Sequence, residues 1–418
     1  MRSLRILFAL FVLSVLVSQS VMDLFSTLVC LQWIWLVVKS RKESSEPKTG
    51  RLKLLRPFGL EWIWGAWFVI ILMGFLLNPL DPQYALVRLI ELKWIFILYV
   101  LIEALDVIKP SRQALNFLLF VIGLTAAVNA FLFLADIPAL DEMRYGSGPG
   151  GFIRAGGFFA NPMTFAHSFV LFVSVLLGLV LFDWKCWSSK QKSLALSILV
   201  LSVIGLFWTY TRGVWLGFLF STSAFFLFWK PKYFIGYVAG LGLIFALLFQ
   251  TSEDFRTRVL RSEAELMGHS ERKLLWQTHF AIWRDHPWFG AGYGQNTKML
   301  PEYYRKLGIP ETTIQSHAHN ELLHLGAGTG LLGLLCYLVV WGFFYLKLWQ
   351  LWNKKLDSWD QGLVFGMGLA QTTFLIAGLT EANFEHSKVR FAVLLIWAYL
   401  IYLCRKYQIP QSFRRSRR

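Results

Sequence analysis

The residues best suited to chemistry in this sequence are one histidine and four arginines. His319 and Asn320 stand directly before an apolar run in which Gly326, Gly328, Gly330 and Gly333 recur. An imidazole with a reference pKa near ~6.5 exchanges protons close to neutrality, so a histidine at the mouth of an apolar segment suits a general base. A histidine that only hydrogen-bonds at an interface suits the same position, and both readings stay open. Arg212 interrupts apolar sequence in Trp208-Thr209-Tyr210-Thr211-Arg212-Gly213, where an unpaired charge is costly and therefore paired or functional. Arg154 precedes Gly156 and Gly157, which allow close backbone approach to a ligand, and leads to Asn161-Pro162. Arg272 begins an amphipathic stretch from Glu271 to Asp285, with Trp276, His279 and Trp283 at helical spacing and Pro287 stopping it. Arg390 opens the last apolar run, with snorkelling as the plain alternative. Guanidinium groups bind phosphate oxygens bidentately, so several arginines around one cavity would suit a diphosphate.

Other patterns carry less. Gly328-Thr329-Gly330-Leu331-Leu332-Gly333 fits G-x-G-x-x-G, but a dinucleotide site needs that motif after a strand, and here it opens an apolar helix. Gly326, Gly330 and Gly333 instead recur at helical intervals, which predicts one face of close helix packing. His317 stands near His319, and Glu381, Glu385 and His386 share another segment. With no D-x-D, H-E-x-x-H or C-x-x-C pattern, neither a required metal nor a cofactor is expected. The four cysteines, Cys30, Cys186, Cys336 and Cys404, have no metal-site spacing and predict no disulfide.

What must position these residues is a stack of apolar segments. Of 418 residues, 56% are hydrophobic and only 16% charged, too few charges to solvate a soluble surface of this size. The apolar residues come in runs near the ~20 needed to cross a bilayer. Candidate spans are 4–20, 22–38, 57–77, 86–106, 114–134, 162–182, 194–210, 213–229, 233–250, 320–348, 361–380 and 389–404. The expected fold is therefore an all-α integral membrane protein of about twelve transmembrane helices, forming a single polytopic domain over 1–418. Residues 4–20 also resemble a signal peptide, and topology alone does not decide between leader and span.

The formal charge of +16 is concentrated in short segments: Arg2 and Arg5, Lys39 to Arg56, Lys185 to Lys192, and Arg405 to Arg418. That is the positive-inside pattern of cytoplasmic loops rather than a nucleic-acid surface. Alternating from there leaves 78–85, 135–161, 211–212, 251–319 and 381–388 outside, with both termini cytoplasmic. The loop 251–319 is the long extracytoplasmic one and is expected to contain short helices. Within it, the turn from Pro287 to Asn296 reads as a folded loop at the membrane surface, with ligand contact and a structural role both open. Every candidate site residue falls on this outer side.

Taken together, these motifs resemble the O-antigen ligase and polymerase superfamily. The resemblance rests on His319-Asn320 followed by Gly330-x-x-Gly333, and on Thr211-Arg212-Gly213. It also rests on Arg154 to Asn161-Pro162, on Arg272 through Trp276 to the Pro287–Gly294 turn, and on Gly378-Leu379-Thr380-Glu381 leading to Arg390. It covers roughly residues 150–400. It implies a large helical membrane glycosyltransferase (GT-C-like) in a bacterial inner membrane, working at the periplasmic face. The implied donor is an undecaprenyl-diphosphate-linked glycan, and the implied acceptor a lipid A–core sugar or a growing glycan. Carried over, Arg212 and Arg272, with Arg154, hold the diphosphate and His319 takes the acceptor proton. Asn320, Glu381, Arg390, Trp276 and Asn161 support them in a metal-independent inverting transfer. Ligase is preferred to polymerase on the modest size of the outer loop. A lipid or anion transporter is the reading from another class, but it expects repeated halves and midplane charges that the sequence lacks.

Overall fold

The computed structural model describes residues 2–43, 55–134, 154–159, 161–253, 255–257, 259–260, 271–310 and 316–410. Most of the expected loop 135–161, part of 251–319, the basic stretch 44–54 and the tail 411–418 lie outside the described residues. Among those described there is no strand, and the helices follow the apolar runs. They are α1 (Arg2–Val15), α2 (Gln19–Glu43), α3 (Glu61–Leu77), α4 (Pro82–Glu91), α5 (Lys93–Ile108), α6 (Ala114–Leu134), α7 (Pro162–Asp183) and α8 (Ser189–Trp208). After them come α9 (Arg212–Trp229), α10 (Pro231–Thr251), α11 (Glu271–Asp285), α12 (Leu300–Leu307), α13 (Glu321–Trp352), α14 (Ser358–Ala377) and α15 (Ser387–Lys406). Among the described residues, seven helices are long and apolar enough to cross a membrane: α2, α6, α7, α8, α10, α13 and α15. Two more, α3 and α9, are apolar but shorter. α10 buries none of its apolar window, and Ile235 on it is 80% exposed. A helix apolar on every side and uncovered by protein is stable only against lipid. The chain is an all-α, multi-pass membrane protein.

Helices stand where spans were expected, with one correction. Residues 86–106 do not form one span, because the chain breaks at Leu92 into α4 and α5. Arg88, Glu91 and Lys93 crowd that point, and a turn carrying three charges is costly in hydrocarbon. α4 starts on its own cap, Asp81 accepting from the Tyr84 amide at 3.0 Å, with Pro82 in the first position where a missing N–H costs nothing. Arg88 then bridges Glu91 and the Tyr84 hydroxyl.

The two ends of the bundle differ in chemistry. At one end, Arg56 and Arg405 both grip Glu103 and Asp106 of α5, and Arg112 pairs with Asp183 at 2.9 Å. Buried carboxylates are tolerable there because each has a guanidinium partner. At the other end lie Arg154, the α8–α9 bend, the segment 316–320 and the segment 378–386, brought together by contacts described below. Between the ends, α7, α14 and α15 form the core. The backbones of α7 and α14 meet at Gly178, where a Cβ would lie 2.3 Å from the carbonyl oxygen of Gly362. Phe344 stacks on Trp397 at 4.3 Å, and α1 joins through Phe11, whose ring meets Phe391 edge-on at 5.7 Å.

Candidate active site

Three arginines reach one cavity by three different devices. Arg212 is the first residue of α9, which presses against α14 because Gly213 and Gly217 carry no side chain. A Cβ on Gly213 would fall 1.9 Å from the Thr380 hydroxyl, and one on Gly217 would fall 2.6 Å from the Thr373 carbonyl. Small residues at a helix contact allow that approach, and it sets Arg212 beside Thr380 and Glu381. The bend before it is sharp, with Tyr210 in the left-handed region at φ 49°. Arg154 is held against this bend: its Nε donates to the Thr209 carbonyl at 2.9 Å and its Nη2 to the Thr211 hydroxyl at 3.3 Å. Arg272 and Trp276 come from the amphipathic helix α11, as its pattern predicts.

The cavity has a volume of about 720 Å³ and is lined by Arg154, Arg212, Arg272, Trp276, Thr380 and Glu381 at its polar end. It continues along Leu216 and Leu219 of α9 and Phe245 of α10 to Phe255 and Val259. Burial, then the nearby Arg272 and Arg212, lower the Arg154 guanidinium to about 10, Glu381 opposing. The three guanidinium groups thus lie close enough to repel one another at this end of the cavity.

Beside the arginines stands a carboxylate shared by two histidines. Glu381 is 3% exposed. Its Oε2 accepts from His319 Nδ1 at 2.8 Å, and its Oε1 is in contact with His317 Nε2. The two imidazole centroids are 4.4 Å apart. His319 reaches this position at φ 46°, a left-handed conformation that costs a non-glycine residue about 1–3 kcal/mol and marks a site that holds it there. Burial alone would raise the Glu381 carboxyl, but the hydrogen bonds and charges of His317 and His319 win and hold it well below the usual range. For His317, burial lowers the imidazole, yet its hydrogen bond and attraction to Glu381 raise it on balance. A carboxylate can only accept, so the proton of neutral His319 sits on Nδ1 and Nε2 keeps the lone pair. His317, His319 and Glu381 bring three ligand atoms within 4.8 Å of one another, a spacing that could hold a divalent ion. The arginines on the same cavity oppose a dication, so the electrostatics suit an anion instead.

Behind this pair lies a second polar cluster. His324 of α13 contacts Glu385 at 3.0 Å through Nε2 and the Asn296 amide at 3.0 Å through Nδ1. Burial alone would raise Glu385, but His324 and Arg88 hold it well below the usual range. Burial, then His317, push the His386 imidazole down.

The structure thus brings Arg154, Arg212, Arg272, Trp276 and Glu381 onto one cavity, with His319 bonded to its edge. It does not bring the other three expected residues there. Asn161 is a helix cap, accepting from the Met163 amide at 2.8 Å at the start of α7. Asn320 caps α13 by accepting from the Leu323 amide at 3.0 Å, and donates to the Leu379 carbonyl at 3.1 Å. It therefore fixes the backbone beside His319. Arg390 is neither snorkelling nor on the cavity. It is 3% exposed in α15, and its Nε and Nη1 have no hydrogen-bond partner among the described residues.

The glycine pattern in α13 also has a different use from the one expected. The helix is broken at Gly330, where φ is 66° and ψ −171°. The turn at 287–292 docks into the break: Leu331 donates to the Pro287 carbonyl at 2.8 Å, and Ala291 to the Ala327 carbonyl at 2.9 Å. Gly290 packs onto Gly328, and Trp283 covers Gly326. The turn, buried from Gly290 to Asn296, takes the structural role. From the sequence, His317, Glu385 and His386 are weighed only as metal ligands, and His324 carries no expectation. The signal available was the density of ionisable residues at 381–386 in an otherwise apolar chain.

No curated protein matches this chain. Residues 196–338 match the family model described as O-Antigen ligase, a segment that holds Arg212, Arg272, Trp276, His319 and Asn320. Over that segment, this membrane protein is similar to the O-antigen ligase domain of the O-antigen ligase and polymerase superfamily.

Proposed function

We propose that the protein transfers a glycan from undecaprenyl diphosphate to an acceptor hydroxyl at the periplasmic face of a bacterial inner membrane, as an O-antigen ligase does. The carrying observation is the single cavity that joins three arginines to an apolar corridor between α9 and α10. A polyprenyl diphosphate has that same polarity, a dianionic head on a lipid tail. The matched family consists of glycosyltransferase-like enzymes, which fits.

In the proposed step, His319 Nε2 takes the proton of the acceptor hydroxyl as its oxygen attacks the anomeric carbon. The bond from that carbon to the diphosphate oxygen breaks, and the configuration inverts. Arg154, Arg212 and Arg272 stabilise the charge that grows on the leaving diphosphate, where fixed donors in a water-poor site act most strongly. Glu381 keeps the proton of His319 on Nδ1 and stabilises the imidazolium that forms. Trp276 supplies a ring against which a sugar face packs.

The test is transfer by purified protein in detergent, with undecaprenyl-diphosphate-linked glycan and lipid A–core, and no ion gradient. Product formation excludes a transporter. Arg212→Ala, Arg272→Ala and His319→Ala are expected to abolish transfer while still inserting. Full activity of His319→Ala would remove the base assignment. A deletion strain separates ligase from polymerase: bare core with accumulated lipid-linked polymer means ligase, and core capped by one repeat unit means polymerase.

A further inference from the structure

A second cavity, of about 280 Å³, lies apart from the arginine site and shares no lining residue with it. Its walls come from α1 (Phe8, Val12), the start of α6 (Phe117), α7 (Phe172), α14 (Leu363) and α15 (Ile396), and they are almost wholly apolar. Its volume is nearly twice the ~150 Å³ of an apolar cavity that takes up a benzene-sized guest, and it is half open rather than sealed. One charged group lines it, Arg5, and Arg5 forms no ion pair among the described residues. Lys109 lies between the lining residues Ile108 and Pro110, at the basic end of the bundle. Trp359 and Tyr399, side chains that favour the level of lipid headgroups, also line it.

We infer that this cavity is a binding site for an anionic phospholipid, with one acyl chain between α1, α6, α7, α14 and α15 and its phosphate on Arg5. The apolar wall selects a chain and the lone cation selects an anionic head, so a zwitterionic lipid satisfies only half of the site. Such a lipid acts as a wedge between α1 and the core helices and couples the first helix to α15, which begins at the transfer site.

The experiment uses the full chain in detergent, delipidated and then incubated with phosphatidylglycerol or phosphatidylcholine of the same acyl composition. Bound lipid is read by native mass spectrometry. Phosphatidylglycerol is expected to be retained severalfold over phosphatidylcholine. Arg5→Gln is expected to abolish that preference, and Ala9→Phe, which fills the cavity from α1, to abolish retention of both. Equal retention of the two lipids by the unaltered protein overturns the inference, as does a preference that survives Arg5→Gln. Retention unchanged in Ala9→Phe, with the variant eluting and melting as the parent does, overturns it as well.

Discussion

Replacing Glu381 by Gln is the most searching perturbation of the proposed site, because it keeps shape and removes only charge and symmetry. The carboxylate accepts from His319 at 2.8 Å on one oxygen and faces His317 on the other. An amide has one accepting oxygen and one donating nitrogen, so it satisfies one histidine and reverses the other. Where the NH2 faces His319, Nδ1 must accept, the ring proton moves to Nε2, and the atom meant to take the acceptor proton is already protonated. Where it faces His317, His319 keeps its tautomer but loses a charge-assisted partner, which is about twice as strong as a neutral one. Positioned general bases contribute about 10²–10⁴ in rate, or roughly 3–5.5 kcal/mol at about 1.36 kcal/mol per decade. Glu381→Gln is therefore expected to lower kcat by about 10²–10⁴. The donor KM should change little or fall, because the arginines are intact and one negative charge has left their cavity. The assay is transfer by purified protein under saturating donor, with thermal unfolding as the check on folding. His317→Ala, which leaves the His319–Glu381 bond in place, should cost far less. A Glu381→Gln enzyme that keeps more than about a tenth of its rate refutes the tautomer argument. One that loses donor binding instead of rate places Glu381 with the arginines.

Four further outcomes are expected. Arg154→Lys should raise the donor KM about tenfold or more with insertion intact, because an ammonium cannot reproduce the fork that holds Thr209 and Thr211 while facing the cavity; kinetics at varied donor concentration measure it. Gly330→Ala should destabilise by about 3 kcal/mol or more in thermal unfolding, since its φ of 66° with ψ −171° suits glycine alone and its Cβ would lie 2.2 Å from Trp288. Gly342→Ala, with nothing within 4 Å of the added carbon, should be neutral or stabilising by up to about 1 kcal/mol. The stability that Glu381 confers should depend on pH in both directions. Its depressed folded pKa gives stability that is present above the ordinary carboxylate value of about 4.3 and lost as pH falls through the folded value. The raised His317 gives stability that is full below about 6.5 and lost as pH rises through its folded value, with Glu385 and Arg272 the other charges facing it. The difference in melting temperature between the parent and Glu381→Gln should thus peak between about pH 4.3 and 6.5; a flat difference contradicts the pairing.

How much of this was legible in the sequence follows from where each residue's cost is incurred. Arg212 and His319 are visible because a charge or an imidazole at the end of an apolar run is expensive anywhere in that run, whatever it touches. Trp276 and Arg272 are visible because an amphipathic period shows which face turns inward. The failure at 86–106 has the same root: Arg88, Glu91 and Lys93 are visible in the run and each argues for a break, yet hydropathy averaged over it still reads as one span. Asn161 and Asn320 sit near candidate site residues in sequence, and their side chains bond two or three residues onward as caps. What the structure gives them is a capping role, which proximity along the chain does not reveal. The Glu381–His317 contact spans 64 residues, and nothing local distinguishes Glu381 from Glu385, which serves a different histidine. Gly330 shows the limit most clearly. Its helical spacing with Gly326 and Gly333 is real, but its positive φ exists only because the Pro287 and Trp288 carbonyls replace the helix's own acceptors. The break in α13 stands eleven residues beyond His319 and locks the 287–296 turn behind it. The backbone that presents the proposed base is thus set by long-range hydrogen bonds, which a periodicity cannot carry.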